Sequence, residues 1–148
     1  MNIPKKTLVI LMADDDADDR LLAQDAMHES RVLNELYFVE DGVQLLRYLR
    51  GDGEFAERAT YPMPGLILLD LNMPKINGIE FLNTLKKSKH LKHIPAIVLT
   101  TSNNPKDIVE CYKIGIAGYI IKPLKYEDYV VRVERILDYW SSNELIKS

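Results

Sequence analysis

The sequence predicts an α/β fold, a doubly wound five-stranded parallel sheet with five helices. Three observations predict it. Short apolar runs recur along the chain and are continuous rather than alternating, as strands covered on both faces are. Segments of helical period separate the runs, which implies right-handed crossovers with helices on both faces of the sheet. Residues that carry chemistry stand directly after four of the runs: Asp14, Asp70, Thr100 and Lys122.

The first run is LVILM (8–12), and ADDDADD (13–19) follows it directly. Leu21, Leu22, Ala26 and Met27 form an apolar stripe that ends near Ser30, with Asp16 as its N-cap and Asp18 and Asp19 in its first turn. A weaker run, LYFV (36–39), comes next, then a stripe of Val43, Leu46 and Leu49. The segment 51–65 is long for a connection within a compact domain, and is expected to be a flexible loop or a contact surface. LILL (66–69) is the third run; Asn77-Gly78 opens the helix carrying Ile79, Leu82 and Leu85. AIVL (96–99) precedes a shorter stripe of Ile108, Cys111 and Tyr112. After GYII (118–121), Tyr126, Val130, Val133, Leu137 and Trp140 mark a long last helix.

The 148 residues fit one domain (1–148), with its core at about 6–140 and a frayed tail at 141–148. A hydrophobic content of 47% and a charged content of 28% are those of an ordinary globular chain. A net charge of -3 and the lack of a basic stripe argue against a nucleic-acid surface. The single cysteine, Cys111, excludes an internal disulfide and reads as a small buried hydrophobe suited to a reducing compartment. Lys5 and Lys6 before residues 7–13 imitate a signal peptide, but the run is short, ends in acids and has no cleavage site. No apolar run approaches the ~20 residues that span a bilayer. The expected location is cytoplasmic, with no membrane partner.

The acids raise the functional question. Five carboxylates fall within six positions, at Asp14, Asp15, Asp16, Asp18 and Asp19. Like charges ~5 Å apart repel by roughly 3 kcal/mol at an effective dielectric near 20. In doubly wound sheets ligands bind beyond the carboxyl ends of the strands, where strand order switches. If the first and third strands are neighbours, Asp14, Asp15 and Asp70 converge there. A hard divalent cation such as Mg²⁺ would offset them, since it takes oxygen ligands. Lys122 adds a second positive charge and Thr100 a hydroxyl. That set suits phosphoryl transfer with a carboxylate as nucleophile.

The acidic pair after the first strand, LLDLNMPKING around Asp70, LTTS (99–102) and GYIIKP (118–123) resemble the receiver domain of two-component response regulators, a CheY-like, flavodoxin-like fold. The resemblance implies strand order 2-1-3-4-5. It makes Asp70 the phosphoacceptor, and Asp15, Asp70 and the backbone carbonyl of Asn72 ligands of Mg²⁺ or Mn²⁺, with Asp14 assisting through water. Lys122 would pair with the phosphoryl group, Thr100 would hydrogen-bond it, and Tyr119 would be an aromatic rotamer switch that turns inward. Gly78 matches the glycine at the start of the third helix, and the Lys122–Pro123 peptide is expected to be cis. Thr101 departs from the family, which places a very small residue there. ADDDADDR, the long loop, TTS and the C-terminal YW resemble stand-alone regulators of phytochrome-like kinases. The implied partners are a histidine kinase or phosphotransfer protein, a downstream protein, and a second copy through helix 4, strand 5 and helix 5.

Rival readings are weaker. A haloacid-dehalogenase-like phosphatase wants an acid two residues beyond the nucleophile, where Asn72 stands. A flavodoxin-type FMN site needs a hydroxyl- and glycine-rich anion loop, and ADDDADD would repel a phosphate. Asp14-x-Asp16-x-Asp18 imitates a calcium loop, but Asp19 replaces its glycine and Asp25 its glutamate. His90 and His93 lack partners for zinc.

Overall fold

The computed structural model describes residues 7–142. Its first half runs β1 (Leu8–Ala13), α1 (Ala17–Glu29), β2 (Asn34–Val39), α2 (Gly42–Arg50) and a 3₁₀ turn (Gly53–Phe55). Its second half runs β3 (Leu66–Leu69), α3 (Gly78–Lys87), β4 (Ala96–Thr100), α4 (Pro105–Ile114), β5 (Gly118–Ile121) and α5 (Tyr126–Ser142). All five strands pair in parallel, in the order β2-β1-β3-β4-β5.

The continuous apolar runs are explained by two cores, one on each face of the sheet. Leu11 and Ala13 of β1, Ile67 and Leu69 of β3 and Ala96 and Val98 of β4 pack with α2, α3 and α4. Leu8, Ile10 and Met12, with Leu66, Leu68, Ile97 and Leu99, pack with α1 and α5. Each fully buried Leu or Ile contributes about 1.5–3 kcal/mol relative to an exposed one, so the three central strands are apolar throughout except at Thr100, the last residue of β4. Asp16, Asp41, Asn77 and Asn104 cap α1 to α4 through their side chains, the first as expected.

The departures from expectation have local causes. β2 begins two residues earlier than its apolar run, because as an edge strand it tolerates Asn34 and Glu35. β5 lies at the other edge and leaves Ile121 47% exposed, so its apolar run is not a mark of burial on both faces. On α4 only Cys111 of the expected stripe is fully buried, while Tyr112 stands in solvent. Leu21 of α1 is likewise exposed, and Ala23 takes the buried position. Tyr129 and Ile136 supplement the stripe on α5. That helix continues through Ser141 and Ser142, which were expected in the frayed tail; residues 143–148, the rest of that expectation, lie outside the described residues.

Segment 51–65, expected from its length to be a flexible loop, is anchored to α2 at several points. The Arg58 guanidinium donates to the carbonyls of Tyr48 (2.8 Å), Leu49 (2.9 Å) and Tyr61 (3.2 Å). The Tyr48 carbonyl also accepts the Gly51 N–H at 3.1 Å, and Leu49 O lies in the last turn of α2, where a cation meets the negative end of the helix dipole. Phe55 and Tyr61 pack on Tyr48 with ring centroids 5.2 and 5.8 Å away, and the Tyr48 hydroxyl donates to Pro62 O at 2.9 Å. Gly51 closes α2 at φ 70°, in the left-handed region that suits glycine.

Arg58→Met is expected to cost about 2–3 kcal/mol, since it removes three charge-assisted hydrogen bonds and takes the donor from the Leu49 and Tyr61 carbonyls. Arg50→Ala, at the exposed end of the same helix, is expected to stay within about 0.5 kcal/mol. Urea denaturation compares them, and equal midpoints would contradict the role given to Arg58.

Candidate functional site

Register builds the site. Ala13 pairs with Leu69 across β1 and β3, and the Asp70 N–H donates to Ala13 O at 3.0 Å. The next residue on each strand is an aspartate, so Asp14 and Asp70 leave the sheet side by side. Carboxylate oxygens of Asp14, Asp15 and Asp70 lie within 4.8 Å of one another, close enough to share one divalent cation. The loop beyond Asp70 returns tightly: the Gly78 N–H donates to Leu71 O at 3.0 Å, and a Cβ on Gly78 would stand 2.7 Å from Leu71 Cα. A side chain there would push the start of α3 off the turn that carries Asp70, which is the physical reason for glycine.

Asp70 is 8% exposed and its oxygens are engaged. Oδ1 accepts from Asn72 N–H at 3.1 Å and from the Thr100 hydroxyl at 2.9 Å. Oδ2 faces Lys122 Nζ at 3.2 Å. Asp14 is wholly buried; Oδ1 accepts from Asp16 N–H at 2.9 Å and Oδ2 meets Lys122 Nζ at 2.7 Å. The Lys122 ammonium has a third partner, Asp19 Oδ2, at 2.6 Å. Its three N–H donors therefore meet three carboxylates. Lys122 N–H donates to Thr100 O at 2.8 Å, which fixes the root of the side chain at the end of β5.

Burial is the largest influence on both Asp14 and Lys122, yet the outcomes differ. It raises the Asp14 carboxyl above the ordinary range, and the Lys122 hydrogen bond only partly offsets it. For Lys122 burial alone would lower the value, but the hydrogen bonds it donates to Asp14 and Asp19 and the charges of Asp14 and Asp70 more than reverse this. The ammonium is thus held charged, and Asp14 bears the cost of the crowding.

Tyr119 points inward, its hydroxyl donating to Ser102 O at 2.8 Å, while Ser102 Oγ donates to Asp107 Oδ2 at 2.9 Å. The Lys122–Pro123 peptide is trans, not cis as expected, which is the lower-energy isomer of an X-Pro bond by about 0.5–1 kcal/mol. Thr101 is exposed beside the site, as is Asn72. Asp16 spends its oxygen on the N–H groups of Asp18 and Asp19, so the calcium-loop pattern is a helix cap. Burial lifts the Cys111 thiol to about 11, as suits an inert hydrophobe.

Two participants escape a reading of the sequence. Asp19 was expected only to serve the first turn of α1, and reaches Lys122 instead. Arg20 Nη1 donates to Asp14 O at 2.9 Å, tying α1 to the end of β1.

Comparison with known proteins agrees with this geometry. Residues 10–134 match the response regulator receiver domain family. Response regulator Rcp1 from Synechocystis is 37% identical over 94% of this chain and 90% of its own length. The crystal structure of the phosphorylated cyanobacterial phytochrome response regulator RcpA superposes with a TM-score of 0.88 at 36% identity, covering 96% of this chain and 100% of that one. The Mn²⁺-bound form of Rcp1 superposes with a TM-score of 0.84 at 34% identity, covering 95% and 99%. With its strand order, its acidic crevice and these relatives in accord, the chain belongs to the receiver domain family of two-component response regulators.

Proposed function

We propose that Asp70 accepts a phosphoryl group from a phosphohistidine of a sensor kinase or phosphotransfer protein. The supporting observation is the setting of Asp70: a buried carboxylate with a hydroxyl at 2.9 Å, an ammonium at 3.2 Å and two more carboxylates within reach of a shared cation. An Asp70 oxygen attacks phosphorus, the P–N bond breaks, and the imidazole leaves with the electron pair. The product is an acyl phosphate, and the histidine regains its neutral form by taking up a proton. Asp15, Asp70 and the Asn72 carbonyl would hold Mg²⁺ or Mn²⁺, with Asp14 reaching it through water. When bound, the ion supplies positive charge against the phosphoryl oxygens.

Lys122 pairs with the new dianion, and Thr100 transfers its hydrogen bond from the carboxylate to a phosphoryl oxygen. Because both already touch Asp70, activation exchanges their partners rather than recruiting them from a distance. Tyr119 is the reporter. Its ring lines a hollow of about 290 Å³ bounded by Ile108, Tyr112, Ile120, Ile121 and Arg132, on the face formed by α4, β5 and α5. Phosphorylation favours the inward ring and so fixes the shape of this face, which meets a downstream protein or a second copy. Moving such an equilibrium from 1:99 to 99:1 takes about 5.5 kcal/mol of differential stabilisation. The chain acts as a phosphoacceptor similar to the phytochrome response regulators it resembles. A phosphatase role finds no support, since Asn72 cannot serve as the second acid.

Incubation with acetyl phosphate and Mg²⁺ is expected to add one phosphoryl group by intact mass. Asp70→Asn should add none, and chelation of the metal should suppress the gain in the parent. A phosphoryl group on the Asp70→Asn chain would overturn the assignment.

Asp14 should trade stability for metal binding. Its folded value lies above the ordinary 3.8, so its ionised form costs stability as pH rises from 3.8 through that raised value. Asp14→Asn is therefore expected to be about 1 kcal/mol more stable than the metal-free parent near pH 7, and to lack that part of the pH slope. The same variant should gain less thermal stability from added Mg²⁺. Thermal melts across pH with and without the ion test both statements. A metal-free variant that melts below the parent would refute the first, and one with an undiminished Mg²⁺ gain the second.

A further inference from the structure

The nearest partner of Lys122 is neither Asp70 nor Asp14 but Asp19, at 2.6 Å against 3.2 and 2.7 Å. Asp19 belongs to α1, whose start is fixed by the Asp16 cap and by Arg20 on Asp14 O. The Lys122 side chain is only 7% exposed, so its ammonium cannot fall back on water when a partner is removed. Asp19 is different: its side chain is 33% exposed and can be hydrated if it lets go. Of the three carboxylates it is the one that can release the lysine at least cost, because Asp14 is wholly enclosed and Asp70 is the acceptor itself.

An incoming phosphoryl group therefore competes with Asp19 for the same ammonium. Building on Asp70 as phosphoacceptor, we propose that Asp19 is a positioning residue that tethers Lys122 toward α1 and so sets how strongly the site binds a phosphoryl anion. The tether has two effects of one sign. It engages a donor that the phosphoryl oxygens need, and it places a fourth negative charge beside a site that must admit a dianion. Both oppose binding in the ground state and in the transition state alike, so removing the tether changes half-saturation rather than the maximal rate.

The test measures initial phosphorylation rates against acetyl phosphate concentration at fixed Mg²⁺, by quenched intact mass, for the parent, Asp19→Asn, Asp19→Glu and Asp18→Asn. Asp19→Asn is expected to lower the half-saturating concentration by about three- to tenfold, with less than a twofold change in maximal rate. Asp19→Glu keeps the charge and has room to reach Lys122, and should stay within twofold of the parent. Asp18→Asn removes a charge from the same helical turn without touching the lysine, and should also stay within twofold. The side chain of Asp19 takes no part in the α1 cap, so these variants keep their fold. Unchanged half-saturation in Asp19→Asn would overturn the tether. An equal shift in Asp18→Asn would reassign the effect to the general field of α1, and an equal shift in Asp19→Glu to local geometry. A parent chain that takes up no phosphoryl group would instead remove the assignment of Asp70 on which the tether rests.

Discussion

The arrangement of the carboxyl edge of the sheet depends on one ammonium group placed among carboxylates. Lys122 is nearly enclosed, yet its proton is held more firmly than in water because three oxygens receive its three donors. Without that charge nothing among the described side chains would offset the repulsion between Asp14 and Asp70, which the β1–β3 register sets side by side. With it, the cluster still carries four acids against one base, counting Asp15. The folded chain thus stores an affinity for further positive charge, which a divalent cation can satisfy.

Much of this was legible in the sequence. Continuous apolar runs separated by helical segments read as strands of a parallel sheet, and the residues that end them then emerge at one edge. Asp14, Asp15, Asp70, Thr100 and Lys122 were found by that reasoning, and all lie at that edge. What stayed hidden were facts of side-chain reach and of position within the sheet. An acid in the first turn of a helix has a sufficient local reason to be there, so nothing in the string marked Asp19 as a partner of a lysine 103 residues away. GYII reads like LILL, yet β5 is an edge strand and β3 a central one. The 51–65 segment looked loose because its length was visible and the reach of Arg58 was not.

Thr100 and Tyr119 link the chemistry to the surface. Thr100 touches Asp70 through its hydroxyl and stands at the end of β4, while Tyr119 on β5 pairs with Val98 and bonds Ser102 just beyond that strand end. Only Thr101 separates the contact with Asp70 from the contact with the aromatic ring. A small displacement of this turn is therefore felt at both, with no need for a longer chain of couplings.

The two flanks of the molecule are built to different standards of firmness. α2 seats five buried residues and has its end carbonyls bound by Arg58. α4 seats one fully buried residue, Cys111, against the sheet. Local opening is easiest where few apolar groups are enclosed. Rearrangement that begins at Asp70 will thus travel toward α4, while the α2 side acts as the anvil against which that movement is made.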